Sequence, residues 1–324
     1  MRVLIAGAAG FIGSHLCDQL LEMGHFVVGV DNLTSGDIRN INHLSRHPRF
    51  HYYSGDVTKT FHSSGSFDAM YHLACPSSSV YGEPCAIEAL ESYSVGTRNL
   101  LELAKVHNSH FILVSKPEQS FRIPMQGNNG NGASGHPIGM MCDATHRVAV
   151  NFAETLTREY HNRFGVPIGI ARVTHTYGPR MHFRDGHLIS EFIWSSLSGL
   201  PLHVPGGGEH PEDCCYISDV VRGLALLLNH RYLGPVEFAS FKDVSASELA
   251  RIVNDAIDSN SQIVYDAAAE QRIIRRVIEI TSAHDVLNWE PLIDLKEGIW
   301  KTVEHLRLNP HELKRILVRR QIAS

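Results

Sequence analysis

The sequence predicts an α/β protein: a doubly wound parallel sheet with a second, smaller C-terminal domain. Three observations lead there. Apolar, β-branched runs alternate with amphipathic stretches of helical period, a glycine-rich turn joins the first run to the first stretch, and after about residue 178 the alternation becomes less regular. The chain has 324 residues, enough for two domains, and the boundary is expected between 1–178 and 179–324, with segments free to cross back.

The first strand reads RVLIAGA, and the helix SHLCDQLLEMG follows it. FVVGVDN, HYYSGDV, AMYHLAC and HFILVS supply four more strands, with a long helix from Glu88 to Val106 between the last two. The loop MQGNNGNGASGHPIG comes next, and its glycines suit a mobile cover over a site. A helix from about Met140 to Phe164 and a sixth strand, PIGIARV, complete the regular part. Beyond YGPR the sequence predicts helices at LISEFIWSSLSG, SDVVRGLALLLNH and SASELARIVNDAI, with a turn at VPGGGEH.

Composition narrows the function. Hydrophobic residues make up 43% and charged residues 19%, with a mean hydropathy of −0.11, which is the balance of a globular chain. Lys and Arg number 29 against 34 Asp and Glu, a net charge of −5, so no basic field is available to hold a phosphate backbone, and nucleic acid is not an expected partner. No apolar run is long enough to span a membrane, and the opening MRVLIAGAAGFIG lacks a signal peptide's cleavage pattern, so a cytoplasmic protein is expected. The cysteines Cys17, Cys75, Cys85, Cys142, Cys214 and Cys215 show no CxxC spacing and are expected as free thiols. His182 and His187 are read as surface or substrate-facing groups, and no metal site is expected.

The turn Gly7-Ala8-Ala9-Gly10-Phe11-Ile12-Gly13 is the strongest local signal. Its glycines let the backbone approach a pyrophosphate, and the helix that it opens offers free N–H groups and a partial positive charge. Asp31 ends the second strand, where a carboxylate accepts from a ribose 2′-hydroxyl and repels a 2′-phosphate, so NAD is the expected cofactor rather than NADP. Asp56 and Val57 after the third strand, and Leu73 and Ala74 after the fourth, lie at carboxyl ends of strands, where such sheets bind ligand.

On these residues the chain resembles the extended short-chain dehydrogenase/reductases of the nucleotide-sugar epimerase, dehydratase and decarboxylase group, and within it the UDP-glucuronate decarboxylase branch. The likeness is carried by GAAGFIGSHL, Asp31-Asn32 with Gly36, Tyr71-His72-Leu73-Ala74-Cys75-Pro76, Pro137-Ile138-Gly139, YGPRMHFRDGHLISEF, Tyr216-Ile217-Ser218-Asp219, Arg276 and Trp289-Glu290-Pro291. It implies that bound NAD oxidises a sugar C4 hydroxyl transiently, that the resulting β-keto acid loses CO₂, and that the hydride then returns. It also implies cofactor contacts from Gly7, Gly10, Phe11, Ile12, Gly13, Asp31, Asn32, Gly36, Asp56, Val57, Leu73, Ala74, Cys75 and His146. Substrate contacts are implied at His175, Arg180, His187 and Arg276. Apolar stripes on the helices from Glu88 and from Met140 suit the homodimer in which this group pairs.

The sequence departs from the group at its chemistry. Where the resemblance implies a YxxxK pair, the chain has Cys142 and His146; the hydroxyl helper after the fifth strand falls on Lys116, while the acidic residue persists as Glu118. An Asn contact becomes His175, and a diphosphate-binding Arg becomes Glu212. Cys142 and His146 share a helix face, and a thiol near a positive charge exchanges protons closer to pH 7 than a phenol does. One reading is therefore an enzyme with a rearranged catalytic set of Cys142, His146, Lys116 and Glu118. The other is a catalytically inactive NAD-binding protein or a regulatory partner of an active homologue. Tyr81 and Tyr93 are candidate replacement acids, with helix-face packing the default reading for Tyr93 and no place assigned to Tyr81; Cys75 reads as a turn residue beside Pro76, and the adjacent Cys214 and Cys215 as packing residues on a strand.

Overall fold

The computed structural model describes residues 1–59, 65–76, 79–80, 83–84, 86–117, 137–183, 186–240, 244–266 and 283–314. Seven strands form the main sheet: β1 (Arg2–Ala6), β2 (Phe26–Asp31), β3 (Phe50–Ser54), β4 (Ala69–His72), β5 (His110–Ser115), β6 (Ile168–Val173) and β7 (Pro235–Phe238). Their spatial order is β7-β6-β5-β4-β1-β2-β3, and the pairs β1·β2, β2·β3, β1·β4 and β4·β5 run parallel. The order reverses between β1 and β4, which makes that gap the switch point of the sheet.

The chain folds into two compact units. The first is Met1–Ala171 with the returning segment Arg231–Pro235; the second begins at Arg172, inside β6, and resumes at Val236. The sequence reading places the boundary at 178/179 and allows segments to cross back.

In the first unit, β1, β4, β5 and β6 are almost wholly apolar because both faces of the sheet are covered. The helix α1 (Phe11–Glu22) follows β1 and buries Leu16, Cys17, Leu20 and Leu21. On another part of the sheet, α2 (Ala86–Glu91) passes into a π-helix at Ser92–Gly96 and on into α3 (Thr97–His107), so the single helix expected from Glu88 to Val106 contains a widened turn. Asn108 ends α3 in the left-handed conformation, at φ 53°. The 28-residue α4 (Pro137–Phe164) packs beside α2 and α3, and Leu100, Leu101, Ala104, Ala149, Val150 and Ala153 close over Leu4, Val28, Met70 and Phe111.

The second unit carries α5 (Leu188–Leu197), α6 (Ile217–Leu227), α7 (Ala246–Ile257), α8 (Ala283–Leu287) and α9 (Leu295–Leu308). Ser245 caps α7 and Asp294 caps α9, each accepting the N–H three residues on. A short parallel ladder pairs His175–Tyr177 with Cys214–Tyr216, and an antiparallel one pairs Pro211–Glu212 with Val244–Ser245. Asp219 explains two of the sequence motifs at once. Its buried carboxylate accepts from Arg222 at 3.0 Å and from the Ile293 N–H at 2.9 Å, while its carbonyl accepts the Trp289 indole N–H at 3.0 Å. The Tyr216–Asp219 and Trp289–Pro291 motifs thus meet in one fully paired staple. Among the described residues no helix is long and apolar enough to cross a membrane.

Candidate active site

The glycine-rich turn is built by exclusion. Gly7 sits at φ 88°, and a Cβ there would lie 2.7 Å from the backbone of Leu73 and Ala74 at the end of β4. A Cβ on Gly13 would meet the Gly7 carbonyl oxygen at 2.0 Å, so helix and strand touch backbone to backbone. Gly10 is the N-cap of α1 and supplies no side-chain cap, and the first turn holds no acidic residue. The helix end is therefore left with amide donors and a positive dipole for an anion.

Asp31 stands beside this turn. It is 7% exposed, with Oδ2 accepting the Ala9 N–H at 2.9 Å and Oδ1 the Leu33 N–H at 2.8 Å. Burial pushes its carboxyl up, against the pull of those backbone donors. A Cβ on Gly36 would stand 2.8 Å from Oδ1, so only glycine leaves that side of the carboxylate open. Partial burial also pulls Asp56 upward, but hydrogen bonds from Thr58 and Asn32, with Lys59 nearby, outweigh it and hold the carboxyl below its usual range. Uncapped helix, glycine cradle and oriented carboxylate fit a dinucleotide. In that arrangement the turn would hold the pyrophosphate and Asp31 a ribose hydroxyl.

The π-helix packs against the segment that leaves β4. Ser92 Oγ donates to the Ala74 carbonyl, the His72 ring nitrogen Nε2 lies 3.3 Å from the Ser92 carbonyl, and the Cys75 thiol donates to the Pro76 carbonyl at 3.4 Å. The Tyr93 ring meets His146 edge-on at 5.4 Å. His146 is 7% exposed, and neither of its ring nitrogens has a hydrogen-bond partner among the described residues. Burial, with Lys116 nearby, pushes its pKa down to about 3, so the imidazole is neutral at pH 7. A protonated His146 activating a thiol, one option open to the sequence, does not fit this burial. Lys116 itself is exposed just past β5. Ser115, in contrast, is buried, and its hydroxyl donates to Glu154 at 2.7 Å; Glu154 in turn takes Arg158 at 2.9 Å. Tyr93, a candidate replacement acid in the sequence, is buried among these groups; Glu154 did not stand out in the sequence, because its partner Ser115 lies on another element. Cys142 lies on α4 one turn before His146, but its side chain, like Glu118, Tyr81, Arg276 and the glycine-rich loop after β5, is outside the described residues.

In the second unit the structure brings together two of the expected substrate residues. The rings of His175 and His187 lie 4.2 Å apart. Glu212 is buried at 6% exposure, with His210 Nδ1 at 3.1 Å and His175 Nδ1 at 3.6 Å, so its charge is directed at imidazoles. Arg180 is half-buried and adopts φ 66°, a conformation that costs a non-glycine residue energy and recurs at functional sites. Cys214 and Cys215 are both buried as free thiols, and burial raises the Cys215 thiol above the range of a reactive one.

A parallel sheet with its switch point beside a glycine cradle and an uncapped helix defines a dinucleotide-binding α/β protein. Residues 3–237 match the NAD dependent epimerase/dehydratase family, and the chain belongs to it. UDP-glucuronic acid decarboxylase 2 of Arabidopsis thaliana is 35% identical over 309 residues, spanning 95% of this chain and 68% of the relative. UDP-glucuronic acid decarboxylase 1 of Xenopus tropicalis is also 35% identical, over 94% of this chain and 72% of its own. The fold matches the Bordetella bronchiseptica enzyme WbmF solved with NADH, at a TM-score of 0.79, 23% identity, and coverage of 99% of this chain and 96% of that one. These matches make the chain an enzyme of the extended short-chain dehydrogenase/reductase type with NAD as the family's cofactor.

Proposed function

We propose that the protein is an NAD-dependent enzyme acting on a nucleotide-activated sugar, similar to UDP-glucuronate decarboxylase, with proton handling that departs from a YxxxK pair. The observation that carries this reading is 35% identity to UDP-glucuronic acid decarboxylases across 95% of the chain. Bound NAD supplies a reversible hydride acceptor. Gly7, Gly10 and Gly13 hold its pyrophosphate, Asp31 selects the unphosphorylated ribose, and His146, neutral and unpartnered, offers the cofactor a hydrogen bond instead of a charge. Cys142, Lys116 and Glu118 complete the rearranged set, with Lys116 supplying the positive charge. His175, Arg180, His187 and Arg276 receive the substrate.

Purified protein given NAD and UDP-glucuronate is expected to release CO₂ and form the UDP-pentose, and Cys142→Ala is expected to lower that rate at least about 100-fold. The replacement of both the Tyr and the Lys favours a second reading, a catalytically inactive NAD-binding partner. Calorimetric uptake of NAD with no CO₂ and no exchange at C4 in any UDP-sugar tried would establish that reading instead.

The exposed apolar side chains of Ile87 and Leu90 on α2, and of Val148 and Phe152 one turn apart on α4, support a homodimer formed through these helices. Light scattering is expected to give twice the chain mass for the native protein and the single mass for the double variant Val148→Glu, Phe152→Glu. A native monomer at micromolar concentration would refute the dimer.

A further inference from the structure

Two anchors for a dinucleotide come from separate loops: the amides of the turn between β1 and α1, and the Asp31 carboxylate at the end of β2. The turn is held by its own strands. Gly7 and Ala8 N–H both donate to the Val30 carbonyl, at 2.8 and 3.3 Å, and Gly10 N–H donates to the Gly7 carbonyl at 3.1 Å. The amides of Phe11, Ile12 and Gly13, in the first turn of α1, are the ones left to an anion.

The segment after Asp31 is held differently. None of residues 32–40 is buried, so packing does not fix its path. It nevertheless runs close to the carboxylate, where a Cβ on Gly36 would stand 2.8 Å from Asp31 Oδ1. Its tie to the turn is Ala9. The Ala9 N–H donates to Asp31 Oδ2 at 2.9 Å, while the Ala9 carbonyl accepts the Asp37 N–H at 3.0 Å and the Asn40 side-chain amide at 2.9 Å. Both lone pairs of that carbonyl are then filled. Asn40 ends the 3₁₀ turn Ile38–Asn40, and its own N–H donates to the Asp37 carbonyl at 2.9 Å. One side chain thus fastens the exposed segment to the residue that orients Asp31.

We propose that Asn40 is a positioning residue for ribose recognition: by holding the 32–40 segment to the Ala9 carbonyl, it keeps the Asp31 carboxylate set to accept from a ribose 2′-hydroxyl. The proposal rests on the NAD reading above. Asn40 acts through Ala9 and Asp31 and has no need to reach the ligand itself. Without its amide, the Ala9 carbonyl keeps the Asp37 N–H alone, and the segment beside the carboxylate relaxes. The bonds from Gly7 and Ala8 to Val30, and from Gly10 to Gly7, do not involve Asn40, so the pyrophosphate end of the site stays built. The loss therefore falls on the ribose end, where a hydroxyl donates to a charged acceptor.

The test is calorimetry on the whole protein with NAD and with the analogue that lacks the 2′-hydroxyl on its adenosine ribose. The wild type is expected to take NAD at least about ten-fold more tightly than the deoxy analogue. Asn40→Ala is expected to weaken NAD at least about ten-fold and the deoxy analogue by less than about three-fold. Asn40→Leu, which keeps the shape of the side chain and removes its donor, is expected to show the same selective loss with unchanged near-UV circular dichroism. A merely structural role would weaken both ligands alike. Equal losses for the two ligands, or NAD affinity unchanged in both variants, would overturn the inference and leave NAD binding standing. A wild type that takes NAD and the deoxy analogue equally well would overturn the ribose role of Asp31 and the inference with it. Failure to take up NAD at all would overturn the NAD reading too, which separates the three.

Discussion

Gly13→Ala is expected to weaken NAD binding by at least about 100-fold, close to 3 kcal/mol, and to lower the melting temperature. The sign is informative. Inside an exposed helix, Ala in place of Gly stabilises by about 1 kcal/mol, so propensity alone predicts the opposite. Here the added Cβ would stand 2.0 Å from the Gly7 carbonyl oxygen and 2.8 Å from its carbon. Both are backbone atoms that cannot swing aside, so the turn must open and the helix N-terminus move off the crevice. Gly10→Ala provides the control, since its Cβ would stand 3.2 Å from the same oxygen, and a smaller loss is expected. Calorimetry with NAD and a thermal melt on each variant decide the matter. Equal affinities for wild type and Gly13→Ala would refute the backbone-contact account.

Acid is expected to destabilise the protein well before its carboxylates titrate. Burial pushes His72 down to about 4 and His146 to about 3, against 6.5 in the unfolded chain. The folded state therefore binds fewer protons, and stability is fully present above about pH 6.5 and lost as the pH falls from there toward the folded values. At pH 5 each histidine costs about 2 kcal/mol, and the pair about 4 kcal/mol. Asp31, raised by burial, acts in the opposite direction over part of the same window. Urea unfolding at pH 8 and pH 5 is expected to show the loss, and His146→Leu to remove about half of it. A difference under about 1 kcal/mol in the wild type would show that these rings are hydrated.

The cofactor half of the site was legible because its signals are local. Strand, glycine spacing, helix and terminal carboxylate follow one another within 31 residues, and each has a single physical use. The contacts of Ser92 with His72 and Ala74 were not legible, since they join residues 18 to 20 apart and depend on a π-turn that leaves no period in the sequence. His146 could be located from its spacing but not given a charge state, which is set by burial and by Lys116 on another element. Glu212 read as a charge opposing a diphosphate; the pairing with His175 and His210 depends on how the short ladders of the second unit converge. Asp219, Trp289 and Ile293 show the converse case. The motifs that hold Asp219 and Trp289 were visible as part of the family likeness, and their atoms form a structural staple that the Ile293 N–H completes.

The widened turn at Ser92–Gly96 also constrains how this chain can vary in length. Removing one residue there would let ordinary i→i+4 bonding resume and so improve the local helix. A five-residue widened turn sweeps about the same angle as four α-helical residues, roughly 400°, so Ile87 and Leu90 would keep the side they now occupy. A deletion that mends the backbone would thus leave the rods aligned but disturb the Ser92 contacts to His72 and Ala74, and the irregularity persists for the groups that it presents to the end of β4.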